Sequence, residues 1–208
     1  WKVKRPVRYD FADFSTPERR KHFCEEEVRL NRRLAPDVYL GVEPIRRDAR
    51  GCSFTGAGEV VDHAVRMRRL PDGASAAARV TEEDLDRLAA LMARFYAAAE
   101  ADRSPVHAVL RRNVEENFDE VRPFIGRFVP QETFDAVRAR QEEFLAAYGP
   151  RLDSRAAAGR VRDGHGDLRL EHVYFLPGGP VVIDAIEFNR RFRVGDAASD
   201  AAFLAMEL

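Results

Sequence analysis

The sequence predicts an α+β protein in two parts: a small β-rich front over residues 1–70 and a larger helical back over residues 71–208 that carries one β-hairpin. Three observations predict it. Before residue 70, short β-like runs surround one helical stretch. Between about residues 81 and 148, apolar residues recur with helical spacing. Near the end, Val173-Tyr-Phe-Leu176 and Val181-Val-Ile183 flank a Pro-Gly-Gly-Pro turn, which reads as a hairpin.

Each element has a local reason. Residues 1–7 alternate and read as a strand. Ser15, Thr16, Pro17 and Glu18 form a helix start of the capping-box kind with Pro in the first turn, and that helix is expected to run to about Ala35, before Pro36. Residues 38–47 and 59–69 read as strands, with a Gly-containing turn near Gly51. Leu70, Pro71, Asp72 and Gly73 break the pattern. Thr81 caps a helix to about Ala99 that buries Leu85, Leu88, Met92 and Phe95. A helix over 105–121 is expected to bury Val106, Val109, Val114, Phe118 and Val121. A third, over 131–148, is expected to bury Phe134, Val137, Phe144 and Leu145 and to stop at Gly149 and Pro150. After the hairpin, a last helix starts near Asp196.

Composition narrows the classes. With 45% hydrophobic and 33% charged residues the chain is globular, and a net charge of −1 gives no global basic signal for nucleic acid. Cys24 and Cys52 make no disulfide framework, so a reducing, cytoplasmic setting is the expectation. No stretch of about 18 apolar residues suggests a membrane span, and no signal peptide is evident. The chain starts inside a strand at Trp1 and stops in a helix at Leu208. Both ends are therefore expected to be cuts in a longer protein, and these residues alone are expected to be weak or inactive as an enzyme.

The chemistry concentrates in His165-Gly-Asp-Leu-Arg-Leu-Glu-His172 and in Val182-Ile-Asp184. Asp167 falls in a loop before the hairpin and Asp184 at the end of its return strand. Two aspartates so placed suit phosphoryl transfer, one orienting an attacking hydroxyl and one holding Mg²⁺. The segment resembles the catalytic and metal loops of the aminoglycoside phosphotransferase branch of the protein-kinase-like superfamily. That resemblance implies a two-lobed kinase-like fold with ATP and Mg²⁺ as cofactors. It puts Asp167 at the base position, Arg169 at the phosphate-facing position, Asp184 at the metal position and His172 at the second-metal position, where an Asn is usual. Asp196 and Asp200 look like the aspartates that buttress the catalytic loop. His172 is a departure, because imidazole is a poorer ligand than a carbonyl oxygen for a hard cation.

The front half adds to this. The chain holds three lysines, Lys2, Lys4 and Lys21, against thirty-one arginines. Lys2 and Lys4 alternate on the first strand and so share a face. Kinases place a strand Lys on the ATP phosphates, paired to a helix Glu, and either Lys2 or Lys4 suits that role. Helical phase selects the partner: Phe23, Glu27, Leu30 and Leu34 share one face, so Glu27 lies in an apolar stripe where it must be paired. In the family, nucleotide base contacts fall at the lobe junction, here near Met67 and Arg68. Arg190, Arg191 and Arg193 could bind an anion. The Gly-rich phosphate loop expected before the Lys strand is not in the sequence, and neither is a P-loop motif.

Residues 30–36, 165–175 and 183–189 together resemble a bacterial subgroup of these phosphotransferases often joined to a downstream P-loop ATPase domain. The implied function is ATP-dependent transfer of the γ-phosphoryl group to a hydroxyl of a small molecule. The alternative is a non-catalytic nucleotide-binding pseudokinase that regulates an attached domain.

Overall fold

The computed structural model describes residues 1–208. Its elements run β1 (Lys2–Val3), α1 (Pro17–Asn31), β2 (Tyr39–Asp48), β3 (Gly51–Ser53), β4 (Glu59–Met67), α2 (Glu82–Ala98), α3 (His107–Val121), α4 (Gln131–Ala157), β5 (Val161–Asp163), β6 (Val173–Leu176), β7 (Gly179–Val182), α5 (Arg190–Arg193), β8 (Val194–Asp196) and α6 (Ala197–Ala205). The fold is mixed α+β. It divides into two compact units, Trp1–Ala99 with Asp163–Leu208, and Glu100–Arg162. Residue 70, the expected junction, lies inside the first unit.

In the first unit an antiparallel sheet has the order β1-β4-β2-β3. Helix α1 lies on it, with Cys24 and Val28 packed into a core with Val38, Tyr39 and Val65. Thr16, not Ser15, caps α1: its hydroxyl accepts the Arg19 N–H at 3.3 Å, with Pro17 in the first turn. The Ser15 hydroxyl instead donates to Asp13 at 2.6 Å, so the expected Ser15–Glu18 box does not form. The helix stops at Asn31, a turn earlier than expected, and the chain then turns through Leu34. Strand β1 is shorter than residues 1–7, pairing only Lys2 with Val65 and Val3 with Ala64. Pro6 offers no N–H to a ladder, and the chain beyond folds back so that Tyr9 and Ala12 bond each other.

A second core of this unit joins α2 to the hairpin. Leu88, Met92 and Phe95 pack with Leu34, Ala76, Leu168, Val173, Val182 and Leu204. Thr81 caps α2 in a reciprocal capping box closed by Asp84, which satisfies two N–H groups that the helix itself leaves without partners. Strands β6 and β7 pair from Val173–Val182 to Leu176–Gly179, which is the expected hairpin.

The second unit is built on α3 and α4. Its helices differ from expectation at two points. First, α4 does not stop at Gly149 and Pro150 but continues to Ala157. The missing Pro150 N–H costs one hydrogen bond. Gly149 lets the His107 ring approach so closely that a Cβ there would stand 2.4 Å from it. Asp153, beyond the proline, accepts the N–H groups of Val106 and His107 at 2.8 and 2.9 Å and so caps α3 from a distant turn. Second, Phe134 and Leu145 are buried, but Val121, Val137 and Phe144 are exposed. Two helices share one seam, here marked by the edge contact of Phe118 with Phe134 at 5.2 Å. Apolar residues beyond that seam stay uncovered.

A buried ion-pair network closes the first unit. Arg193 donates from Nε to Asp163 at 2.6 Å and from Nη2 at 3.1 Å, and its Nη1 reaches the Ile186 carbonyl at 2.7 Å. Arg33 adds a contact to the same carboxylate at 3.1 Å. Arg193 is thus occupied and is no part of a surface anion site. Asp163→Ala strands a buried guanidinium, so it is expected to cost about 3–5 kcal/mol, read as a lower urea midpoint at pH 7. A change of a few tenths would mean that water reaches Arg193.

Candidate active site

The front of the first unit supplies Lys2, Lys4 and Glu27. Glu27 is 0% exposed, beneath β1. Lys4 Nζ donates to its Oε2 at 2.7 Å, and Lys2 Nζ stands 2.9 Å from its Oε1. This second contact is an ion pair without hydrogen-bond geometry, so Oε1 has no hydrogen-bond donor. The same helix sends Asn31 across to the hairpin side: its Oδ1 accepts the Ala185 N–H at 2.8 Å while its Nδ2 donates to the Glu27 carbonyl at 2.9 Å.

The back supplies the loop 163–172 and the segment after β7. Gly166 has φ +85°, and a Cβ there would meet the Phe192 carbonyl at 2.8 Å, so this turn requires glycine. Asp200 holds the turn by accepting the N–H groups of His165 and Gly166 at 2.8 and 3.0 Å, with Tyr96 donating to it at 3.2 Å. Asp196 instead caps α6 through the Ala198 N–H at 3.0 Å. His165 is buried. Its Nε2 faces the Ile183 carbonyl at 2.9 Å and its Nδ1 the Asp167 N–H at 3.3 Å, which assigns the proton to Nε2. Burial, above all, lowers its pKa to about 4.

Asp184 follows β7 by two residues and is the one non-glycine residue with positive φ, at 63°. A side chain held in this region is strained, and such strain gathers at functional sites. Tyr39, fully buried, holds the turn: its hydroxyl oxygen accepts the Asp184 N–H at 3.1 Å. Lys2 Nζ donates to Asp184 Oδ1 at 2.6 Å. Burial alone would raise the Asp184 pKa; Lys2 outweighs it, and the carboxyl is held below the usual range. At Lys2, likewise, burial opposes the charge, and Glu27 and Asp184 outweigh it, so its pKa is raised.

Lys2, Lys4, Asp167, His172 and Asp184 line one cleft of about 430 Å³, together with Glu187 and the side chains of Val7, Tyr9, Phe14 and Phe188. Burial raises the Asp167 pKa. His172 turns its Nδ1 to the Asp167 backbone carbonyl at 2.8 Å, so this nitrogen serves the loop. No group of three or more His, Cys, Asp or Glu side chains is gathered as a metal cage. Three expected residues stand apart from the cleft. Arg169 points to Glu207 at 3.0 Å and to Glu171. Met67 packs against the core of α1 and the sheet. Arg68 is exposed and lines a separate groove with Pro36, Leu70 and the hairpin turn.

Sequence reasoning missed Tyr39, Asn31 and Glu187. Glu187 carried the only available signal, a carboxylate three residues after Asp184 in an apolar run. Tyr39 reads as strand core and Asn31 as a helix end.

No family model and no solved structure matches the chain. It is 34% identical over 218 residues to three uncharacterized proteins, Mb2027c of Mycobacterium bovis and MT2060 and Rv2004c of Mycobacterium tuberculosis. The match covers all of this chain but 42% of each of those proteins.

His165 makes stability depend on pH. The unfolded chain takes up this proton below about 6.5, while the folded one takes it up only near 4. Between those values the unfolded state binds more protons, so stability falls as pH falls. From pH 7 to pH 5 the wild type is expected to lose about 2 kcal/mol more than His165→Gln. Urea unfolding at both pH values checks this; parallel losses would mean that His165 is protonated in the fold.

Proposed function

We propose that this chain is the phosphotransferase part of an ATP-dependent enzyme that transfers a γ-phosphoryl group to a hydroxyl of a small molecule. In this reading the fold is protein-kinase-like, with residues 1–70 as a partial small lobe and residues 71–208 as the helical lobe. One observation carries the proposal. Lys2, near the start of the chain, and Asp167 and Asp184, around the hairpin near its end, line one cleft above a buried Glu27 that is paired to both Lys2 and Lys4. Stability alone does not call for two aspartates at a cleft with one of them strained at positive φ.

The roles follow from the chemistry of each group. Asp167 would accept or orient the proton of the acceptor hydroxyl, and burial makes it a better base by raising its pKa. Asp184 is poised as an anion at the cleft. Magnesium takes only one or two protein carboxylates when phosphate oxygens and water complete its shell, so Asp184 fits as its protein ligand. The ion would there neutralise phosphate charge. A strand lysine would orient the phosphates. His172 serves better as a brace of the Asp167 loop, since its Nδ1 already bonds to that loop. The downstream P-loop ATPase domain is the proposed covalent partner, in keeping with relatives longer than this chain.

The second reading is a nucleotide-binding module without catalysis. It is favoured by Arg169, which is tied to Glu171 and Glu207 and could meet a phosphoryl group only by leaving them. Paired variants of the whole protein separate the two. Asp167→Asn is expected to cut turnover by about 10²–10⁴-fold with Mg-ATP affinity unchanged. Asp184→Asn is expected to weaken Mg-ATP binding as well. Mg-ATP binding with no ATP consumption over a panel of alcohols would favour the module; equal, mild effects at both positions would remove the assigned roles.

A further inference from the structure

Asp167 meets the acceptor hydroxyl in the reading above, and the rest of the acceptor must fit what surrounds it. Most charges in and beneath the cleft are already matched. Asp184, Lys2, Glu27, Lys4 and Glu187 alternate in one row, with successive contacts of 2.6, 2.9, 2.7 and 2.5 Å. Each carboxylate of the row therefore has a lysine. Arg5 lines the same cleft but is exposed and pairs with no carboxylate.

The remaining lining is aromatic. Tyr9 and Phe14 reach the cleft from the segment between β1 and α1, and Phe188 from the segment after Asp184. Phe11 backs this wall, its ring 5.3 Å from Tyr9 and nearly parallel at 7°, and 5.6 Å from Phe188. The turn that carries Tyr9 is closed by its own backbone bonds to Ala12, at 2.8 and 3.3 Å. Tyr9 nevertheless stays 52% exposed. Closing the turn does not call for an aromatic face left open beside aspartates and lysines, and binding an apolar group there does.

From these two linings we infer that the acceptor is a hydroxy acid with an aromatic or similarly bulky apolar body. Its hydroxyl lies at Asp167, its body against the wall of Tyr9, Phe14 and Phe188, and its carboxylate toward Arg5. The inference rests on the phosphotransferase reading and names the substrate class of that same site. In the transfer the hydroxyl oxygen bonds to the γ-phosphorus, the bond from that phosphorus to the bridging oxygen of ADP breaks, and the hydroxyl proton passes to Asp167. An alcohol bearing an ammonium group fits poorly. Asp184, Glu27 and Glu187 already hold lysines, and Asp167 is taken up by the hydroxyl. The Phe14 ring, whose face attracts cations, already has Lys4 Nζ 5.4 Å away.

The test uses three probes that share one benzyl group and one hydroxyl: phenyllactate, the diol in which its carboxylate becomes a hydroxymethyl group, and the amino alcohol in which it becomes an aminomethyl group. Lactate, without the ring, is the fourth. Binding to the whole protein is read by ligand-detected NMR without nucleotide, so the result does not depend on turnover. Phenyllactate is expected to bind about threefold tighter than the diol and about tenfold tighter than the amino alcohol, which meets Arg5 as a like charge. Arg5→Gln is expected to make phenyllactate and the diol equal. Tyr9→Ser is expected to weaken phenyllactate about tenfold and to leave Mg-ATP affinity unchanged, with a thermal melt confirming that each variant is folded. Tightest binding of the amino alcohol, or lactate binding as well as phenyllactate, overturns the inference. So does a Tyr9→Ser variant that loses Mg-ATP instead, because the wall would then stack the purine base. If Mg-ATP is consumed with another alcohol while no probe binds, the acceptor class fails alone. If phenyllactate binds as expected and Mg-ATP does not, the phosphotransferase reading fails and the ligand class of the cleft stands.

Discussion

The burial of Glu27 between two lysines is the constraint on which the first unit depends. A carboxylate with no exposed surface must be paired, and its partners are Lys2 of β1, an edge strand with only two residues in the sheet, and Lys4 just after it. The ladder alone holds β1 weakly. The charges fix where its lysines stand, and through Lys2 and Lys4 they reach Asp184 and Glu187 on the segment after β7. Such a network contributes little net stability compared with an apolar core of the same volume. Its effect is to specify one arrangement, since any displacement of α1, β1 or the segment after Asp184 strands a charge.

Neutral hydrogen bonds support the same junction. Asn31 ties the Glu27 turn of α1 to Ala185, and Tyr39 of β2 holds the backbone of Asp184. These contacts keep Asp184 at positive φ, a conformation costing about 1–3 kcal/mol that persists only when its surroundings over-determine it. On the other side of the cleft, Asp200, Tyr96 and His165 hold the loop of Asp167. The two aspartates are therefore set by different supports, one by α1 and the sheet, the other by α6 and α2. The cleft is as precise as the packing between those layers.

Legibility varied with how local each cause was. The capping of α2 by Thr81, the hairpin and the start of α6 all rest on neighbours within a few residues, and the structure has them. Glu27 could be selected because helical phase is a local property that reports which face is buried. The start of α1 was misjudged by one residue, since Ser15 is drawn to Asp13. The end of α4 was misjudged because Asp153 and His107 act across the helix pair, and such contacts have no trace near Pro150. Apolar spacing marked Val137 and Phe144 as core, yet spacing cannot say whether a second surface is present to cover them.

By itself, then, the sequence determined the types of the longer elements, the buried face of α1 and the presence of two aspartates around a hairpin, because periodicity, capping and turn chemistry act over a few residues; the short β3, β5, α5 and β8 had no such local signal. Only the tertiary structure decided that both lysines share Glu27, that Glu187 completes the row, that Tyr39 and Asn31 hold the turn at Asp184, and that Arg169 faces away toward Glu207. Those outcomes depend on distances between side chains well separated along the chain or on competition among several partners for one charge. Chain order carries neither quantity; folding brings the groups within 3 Å of one another and lets burial choose among them.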